Sequence, residues 1–236
     1  MIKAIETEYN GYKFRSRLEA RWAVFFDALG IQYHYEPEGF DLDGVYYLPD
    51  FYLDDYKIYI EIKPFDKDVV SYVGDGNKWE QKCRSFRDDV DKAIMICYGD
   101  PSDSGYYYFF GWDLTDGSGG SSEFQALFFE KTDGTIKLFL NDGRYDREIF
   151  VAGWNTGNEL ISSENIKTCA SLYSYFQDGS GYDIWDKAID QQFIPFKDNN
   201  SAIAKAQMLA RQARFEHGEK PCLNTSSKVS EDEIPF

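Results

Sequence analysis

The chain has 236 residues, of which 43% are apolar and 18% aromatic, enough for the core of one large domain or of two small ones. Its formal net charge of −16 argues against a nonspecific nucleic-acid coat, because phosphate contact then needs a local basic patch or bridging cations. The four cysteines are far apart and form no CxxC pair, which argues against a zinc knuckle or disulfide framework and favours a reducing cytoplasm. The sequence shows neither an export signal nor an apolar run long enough for a membrane helix, so we expect a cytoplasmic protein.

The first predicted element is an amphipathic helix that follows residues 11–15. Its apolar side chains recur at helical spacing through residues 18–29, and Gly30 ends the pattern. Ser16 and Glu19 form an S-x-x-E capping box, in which the Glu19 carboxylate can accept the N–H of Ser16. This local role is sufficient to explain Glu19, and a functional role is the alternative.

A β-hairpin over residues 46–64 follows two short predicted strands at residues 31–35 and 40–42. The polar residues 54–57 predict its turn. The pattern places Pro49 and Asp50 on the first strand of the hairpin. It places Glu61, Ile62 and Lys63 on the second.

The hairpin carries ionisable groups inside apolar strands, where a carboxylate is costly unless a partner satisfies it. Asp50 and Glu61 are predicted to point to the same end of the sheet, at a separation that suits one metal ion. Mg²⁺ prefers oxygen ligands, so two carboxylates, the carbonyl of Ile62 and water make a plausible shell. Lys63 shares a strand face with Glu61, where its ammonium is able to position or deprotonate a water.

The next predicted elements are a helix over residues 77–90 and a buried strand over residues 93–98. Together with the hairpin they predict an α/β fold: a mixed sheet flanked by helices, with residues 1–100 as its core. Residues 101–200 predict a β-rich extension or subdomain, with a hairpin turn at residues 132–134 and a short helix at residues 164–175. A C-terminal helix is expected within residues 201–218, and residues 219–236 are predicted to form a disordered acidic tail.

Over about residues 10–98 the sequence resembles the PD-(D/E)XK nuclease superfamily. Pro49 and Asp50 match one half of the family's motif, and residues 61–63 match the other. Residues 14–20, which include Glu19, resemble the family's first core helix, whose acidic residue completes the metal site. The resemblance implies a restriction-endonuclease-like fold and Mg²⁺ or Mn²⁺ as cofactor. The implied catalytic residues are Glu19, Asp50, Glu61 and Lys63, and the implied metal ligands are Glu19, Asp50, Glu61 and Ile62. The family often adds a polar residue from the following helix, for which Gln81 and Lys78 are the candidates.

The last six residues, EDEIPF, resemble the acidic tip of bacterial single-stranded-DNA-binding proteins, which docks repair and replication enzymes. An apolar pocket with a basic rim would accept such a segment. The resemblance implies a partner-binding role for Ile234, Pro235 and Phe236.

Three functions follow as alternatives. The first is a metal-dependent nuclease that hydrolyses DNA phosphodiester bonds, in the DNA metabolism or defence of a phage or other mobile element. The second is a noncatalytic interaction protein of nuclease fold that docks on host DNA-repair enzymes through its C-terminal tip. The third is a single-stranded-DNA-binding module, in which aromatic strands would stack bases.

Overall fold

The computed structural model describes residues 5–65, 78–101, 106–112, 121–131, 133–141, 149–150, 166–169 and 201–215. Its helices are α1 (Arg17–Leu29), α2 (Lys78–Val90) and α3 (Ala202–Gln212). Its strands are β1 (Thr7–Tyr9), β2 (Tyr12–Phe14), β3 (Tyr33–Tyr35), β4 (Phe40–Leu42), β5 (Val45–Tyr47), β6 (Phe51–Leu53), β7 (Ile58–Lys63), β8 (Ile94–Tyr98), β9 (Tyr106–Trp112), β10 (Ser121–Lys131), β11 (Ile136–Asn141), β12 (Ile149–Phe150) and β13 (Ile166–Cys169). The fold is therefore mixed α/β, as predicted.

One sheet of nine strands dominates the described part of the chain. Its order is β12-β11-β10-β9-β8-β7-β6-β3, with β13 paired to β10. Strands β7 and β8 are parallel and are joined through α2, which confirms the predicted crossover. Strand β9 pairs antiparallel with β8, so the aromatic strands beyond residue 100 continue this sheet.

The predicted hairpin is confirmed for β6 and β7, which pair antiparallel across the turn at residues 54–57. Its first strand is shorter than predicted. Tyr46 and Tyr47 belong to β5, which pairs with β4 in a separate two-stranded sheet. Pro49 and Asp50 precede β6 instead of lying on it. Extending the β6–β7 register by two residues would place Pro49 opposite Ile62, and proline has no N–H to donate to a ladder.

The two faces of the sheet are covered by different helices. On one face, α1 buries Trp22, Phe25 and Phe26 against the side chains of β6, β7 and β10. On the other face, α2 buries Cys83 and Phe86 against β8 and the β4–β5 sheet. Ring contacts connect α1 to β6 and β10, with centroids 5.5 Å apart for Phe26 and Phe51 and 5.8 Å apart for Phe25 and Phe128. The strands that carry the candidate site are thus fixed from both sides.

Helix α3 packs on α1 and begins on a carboxylate from the sheet. The N–H groups of Ala202 and Ile203 donate to Oε2 of Glu130, at 2.6 and 3.4 Å, and Ser201 caps the helix through its hydroxyl. Glu130 is only 3% exposed, and the partial positive charge of the helix N-terminus stabilises its buried carboxylate.

Two predictions about the later half of the chain were wrong in extent or type. Helix α3 ends at Gln212, earlier than predicted, because Ala213 leaves the helical conformation and the chain places Phe215 against the ring of Tyr9. Residues 166–169 form β13 instead of part of a helix, because they pair with β10 and are partly β-branched. The predicted tail, including residues 234–236, lies outside the described residues. Within the described ranges, no helix is long and apolar enough to cross a membrane.

We predict that Glu130→Ala lowers the free energy of unfolding by about 1–3 kcal/mol, because two N–H groups at the start of α3 lose a buried acceptor. Glu130→Gln keeps one acceptor of similar shape and should lose less. Denaturant unfolding measures both. Equal midpoints for Glu130→Ala and the unaltered protein would contradict the prediction.

Candidate active site

Three acidic residues from three different segments lie around the end of β7. Glu61 belongs to β7, Asp50 immediately precedes β6, and Glu19 lies in the first turn of α1. Their exposed fractions are 5%, 2% and 8%, respectively. Buried carboxylates are costly unless they are paired or hydrogen-bonded, so the partners of each define the site.

Asp50 is held from two sides. Its Oδ2 accepts the backbone N–H of Ile62 at 2.7 Å, and its Oδ1 accepts Nη2 of Arg15 at 2.8 Å. The bond to Ile62 is formed where Pro49 prevents the β6–β7 ladder from continuing. The Asp50 side chain thus accepts the N–H of Ile62 where the ladder ends.

The carbonyl of Ile62 lies on the same edge of β7 as its N–H. In a strand, the N–H and C=O of one residue point to the same neighbour, and the N–H of Ile62 points to Asp50. The side chain of Ile62 lies in the core on the α1 side. Glu61 and Lys63 face the opposite side, as the alternation of a strand predicts.

Glu61 has one neutral and one charged partner. Its Oε2 accepts the hydroxyl of Tyr47 at 2.9 Å, and its Oε1 forms an ion pair with Nζ of Lys63. Nζ of Lys63 also lies 4.5 Å from the centre of the Trp79 ring on α2. Cation–π contact and ion pairing together fix the ammonium beside Glu61.

Glu19 combines a capping role with a place in the site. Its N–H donates to Oγ of Ser16 at 3.2 Å, which confirms Ser16 as the N-cap of α1. Its carboxylate accepts the Ser16 hydroxyl at 2.7 Å, the N–H of Arg15 at 3.1 Å and the Tyr35 hydroxyl at 2.7 Å. The backbone donor is one residue earlier than the capping box predicts. The two alternatives for Glu19 are therefore compatible.

The charges of these groups reach one another. Burial, followed by the charges of Glu61 and Glu19, raises the pKa of Asp50 to about 8, against the opposing effects of Lys63 and the N–H of Ile62. Burial and the Glu61 charge likewise raise the pKa of the Cys83 thiol. Although burial opposes it, the Asp50 charge raises the pKa of the Arg15 guanidinium. The end of β7 thus carries a negative potential that the neighbouring cations reduce only in part.

The donor types suit a hard divalent cation, because carboxylate and carbonyl oxygens are the ligands that Mg²⁺ and Mn²⁺ prefer. The arrangement is that of an ion-pair network. Among the described residues, no group of three or more His, Cys, Asp or Glu side chains is placed to hold a metal ion. Arg15 and Lys63 instead pair with Asp50 and Glu61. The side chains of Arg15 and Lys63 would have to move away before the carboxylate oxygens of Asp50 and Glu61 could bind one metal ion together.

On α2, the buried polar side chains include neither Gln81 nor Lys78, the two residues predicted from the sequence. Gln81 is exposed, and Nζ of Lys78 lies 4.6 Å from the ring centre of Trp79. The carboxylate that α2 buries is Glu80, which accepts the hydroxyl of Tyr98 at 3.3 Å. Tyr98 pairs with Lys63 across the parallel strands.

Three side chains that contact the carboxylates were not predicted from the sequence: Arg15, Tyr35 and Tyr47. Tyr47 stands three residues before Asp50, and Arg15 directly precedes the N-cap of α1, so both lie beside motifs that were recognised. Their roles depend on side chains that meet only in the folded chain.

No family model matches this chain, and neither the curated proteins nor the solved structures contain a match. The resemblance to the PD-(D/E)XK superfamily therefore rests on the residues of this chain and stays a prediction. The structure itself supports a mixed α/β fold with buried carboxylates at one end of a parallel strand pair.

We predict that Asp50→Asn raises the free energy of unfolding of the metal-free protein above that of the unaltered protein, and that this gain is larger at pH 8 than at pH 5. Because the pKa of Asp50 is higher in the folded than in the unfolded chain, the folded state binds more protons between about pH 4 and pH 8, and stability falls as the pH rises through that range. The gain at pH 8 should exceed about 1 kcal/mol, the equivalent of one pKa unit. Thermal unfolding in a chelator at both pH values tests this. A gain that does not grow with pH would disprove it.

Proposed function

We propose that this protein is a metal-dependent nuclease that hydrolyses DNA phosphodiester bonds at the end of β7. The observation that carries the proposal is the meeting of Asp50, Glu61 and Lys63 with Glu19 from α1. Three buried carboxylates lie together, and burial followed by the charges of Glu61 and Glu19 raises the pKa of Asp50, which is costly for stability. Such clusters are typical of functional sites.

Each residue has a role in the proposed reaction. Asp50, Glu61 and the carbonyl of Ile62 would hold Mg²⁺ or Mn²⁺, with Glu19 close by. The bound cation would supply Lewis-acid activation of a phosphate and of water. Lys63, fixed between Glu61 and Trp79, would orient the attacking water or stabilise the charge that develops on the phosphate.

Basic groups beside the site support a phosphate-containing substrate. Lys78 and Lys82 of α2 hold their ammonium groups 4.6 Å from the ring centre of Trp79 and 4.5 Å from that of Tyr47. These aromatic residues contact Lys63 and Glu61, respectively. On a chain of net charge −16, this local positive charge would oppose the repulsion of a polyanion.

The effect of a divalent cation on cleavage and on DNA binding distinguishes the nuclease from the noncatalytic and single-stranded-DNA-binding alternatives. A nuclease requires Mg²⁺ or Mn²⁺ for product formation. A binding module would retain single-stranded DNA in chelator, with an affinity that falls as salt rises. A nuclease fold that only docks partners would neither cut nor retain DNA.

We expect Asp50→Asn, Glu61→Gln and Lys63→Ala each to reduce Mg²⁺-dependent cleavage by at least about 10²-fold, the usual minimum for a group acting on the reacting atoms. Gel assays on single- and double-stranded DNA, with Mg²⁺ or Mn²⁺, provide the measurement. Asp55→Asn is the matched control, since Asp55 is an exposed carboxylate in the turn of the same hairpin. Cleavage that persists in all three variants would exclude this site.

We also expect Tyr47→Phe to lower kcat/KM by roughly tenfold, because Oε2 of Glu61 loses its buried donor, a loss of about 1–3 kcal/mol. Tyr46→Phe makes the same chemical change on the adjacent residue, which is 70% exposed. Steady-state cleavage by the two variants tests the role of the hydroxyl. Equal rates would show that Tyr47 does not support Glu61.

A further inference from the structure

Arg15 is the cationic side chain that contacts the buried Asp50, and neither motif of the hairpin includes it. Its Nη2 lies 2.8 Å from Oδ1 of Asp50, and its Nε lies 2.5 Å from Oε1 of Glu36. The Arg15 side chain is 54% exposed, whereas that of Asp50 is only 3% exposed. The guanidinium therefore lies between solvent and a carboxylate proposed as a cation ligand.

The backbone of Arg15 is fixed independently of its side chain. Its N–H donates to Oε2 of Glu19 at 3.1 Å and to the hydroxyl of Tyr35 at 3.0 Å. Movement of the guanidinium therefore need not disturb the start of α1. The side chain of Arg15 is long and about half exposed, so its guanidinium has room to move toward solvent.

Glu36 provides a second partner for the guanidinium. Its N–H donates to the carbonyl of Asp50 at 2.9 Å, and its φ of 46° lies in the left-handed region that few non-glycine residues adopt. A residue held in that region by its neighbours marks a place where the surrounding structure imposes the conformation. Here the conformation keeps the Glu36 carboxylate beside Arg15.

We propose that Arg15 is a positioning residue that neutralises Asp50 in the cation-free protein and releases Asp50 when a divalent cation binds. The inference rests on the proposed function. A guanidinium retained 2.8 Å from Asp50 would repel a cation bound to the same carboxylate. Once released, the planar guanidinium is suited to bidentate contact with a phosphate of the DNA.

Calorimetric titration with Mn²⁺, in the absence of DNA, provides the first test. Arg15→Gln removes the charge, so it should bind Mn²⁺ roughly fivefold more tightly than the unaltered protein, a typical coupling between two competing ligands. Lys13→Gln removes one positive charge from the neighbouring strand β2, where Lys13 is exposed and paired with Glu6. Screening by water and salt should keep its affinity within about twofold of the unaltered protein.

Cleavage separates competition from a merely structural role. Arg15→Gln should lower kcat/KM for DNA although Mn²⁺ binds more tightly, because the phosphate loses its guanidinium partner. Lys13→Gln should cut at the unaltered rate. An Arg15→Gln variant that binds Mn²⁺ no more tightly than the unaltered protein would overturn the inference.

The unaltered protein offers a test that does not depend on how the variant folds. Nuclear magnetic resonance of protein labelled with ¹⁵N-arginine, assigned with Arg15→Lys, reports the Nε–H signal of Arg15. It should shift as Mg²⁺ saturates the site. A signal unchanged at saturation overturns the inference while leaving the nuclease proposal intact. Absence of both Mn²⁺ binding and cleavage overturns the two together.

Discussion

The bond from the N–H of Ile62 to the Asp50 carboxylate is the interaction on which the site depends. It lies next to the ladder bond that Pro49 is unable to make, which would run from an N–H at position 49 to the carbonyl of Ile62, and it sets Asp50 against β7 at the point where the strand carries Glu61 and Lys63. A proline in this position therefore does more than end a strand. By removing one backbone donor, it leaves the carbonyl of Ile62 without a ladder partner from residue 49, while the N–H of Ile62 donates to the Asp50 side chain.

Apolar packing in the rest of the fold offsets the free-energy cost of burying these carboxylates. The carboxylates are buried at one end of a sheet whose two faces are covered by apolar clusters, with aromatic side chains of α1 on one side and of α2 on the other. A fully buried Phe or Leu side chain contributes about 1.5–3 kcal/mol, so a few such residues offset a destabilising charge cluster. The apolar clusters on the two faces of the sheet thus offset the destabilising effect of the charges at the site.

Local patterns were sufficient to predict the parts of the fold in which each residue responds to its sequence neighbours. The cap at Ser16, the end of α1 at Gly30 and the turn between β6 and β7 are of this kind. The parallel pairing of β7 and β8 also followed from the sequence, because an uninterrupted apolar run after a helix indicates a strand covered on both faces.

The break between β5 and β6 did not follow from the sequence, although Pro49 supplied a signal. Residues 46–53 are mostly apolar and aromatic and read as one strand, and only the pairing of β5 with β4 shows that the run is divided. The partners of the carboxylates were missed for a related reason. Arg15 and Asp50 are 35 residues apart, and Tyr47 and Glu61 are 14 apart, so no periodicity connects them. Charge pairing over such separations is decided by tertiary structure.

Burial, followed by the charges of Glu61 and Glu19, raises the pKa of Asp50, and the same surroundings favour the proposed binding of a divalent cation. Three carboxylates face two cationic side chains, and one of these, Arg15, is shared with Glu36. The charge that Arg15 and Lys63 leave uncompensated favours any further cation that reaches the site, whether a proton or a divalent ion. Proton binding and cation binding at Asp50 therefore exclude each other. The proposed action on a polyanion is compatible with the acidity of the chain, because the field that matters to a phosphate is the local one near Lys63, and not the total charge.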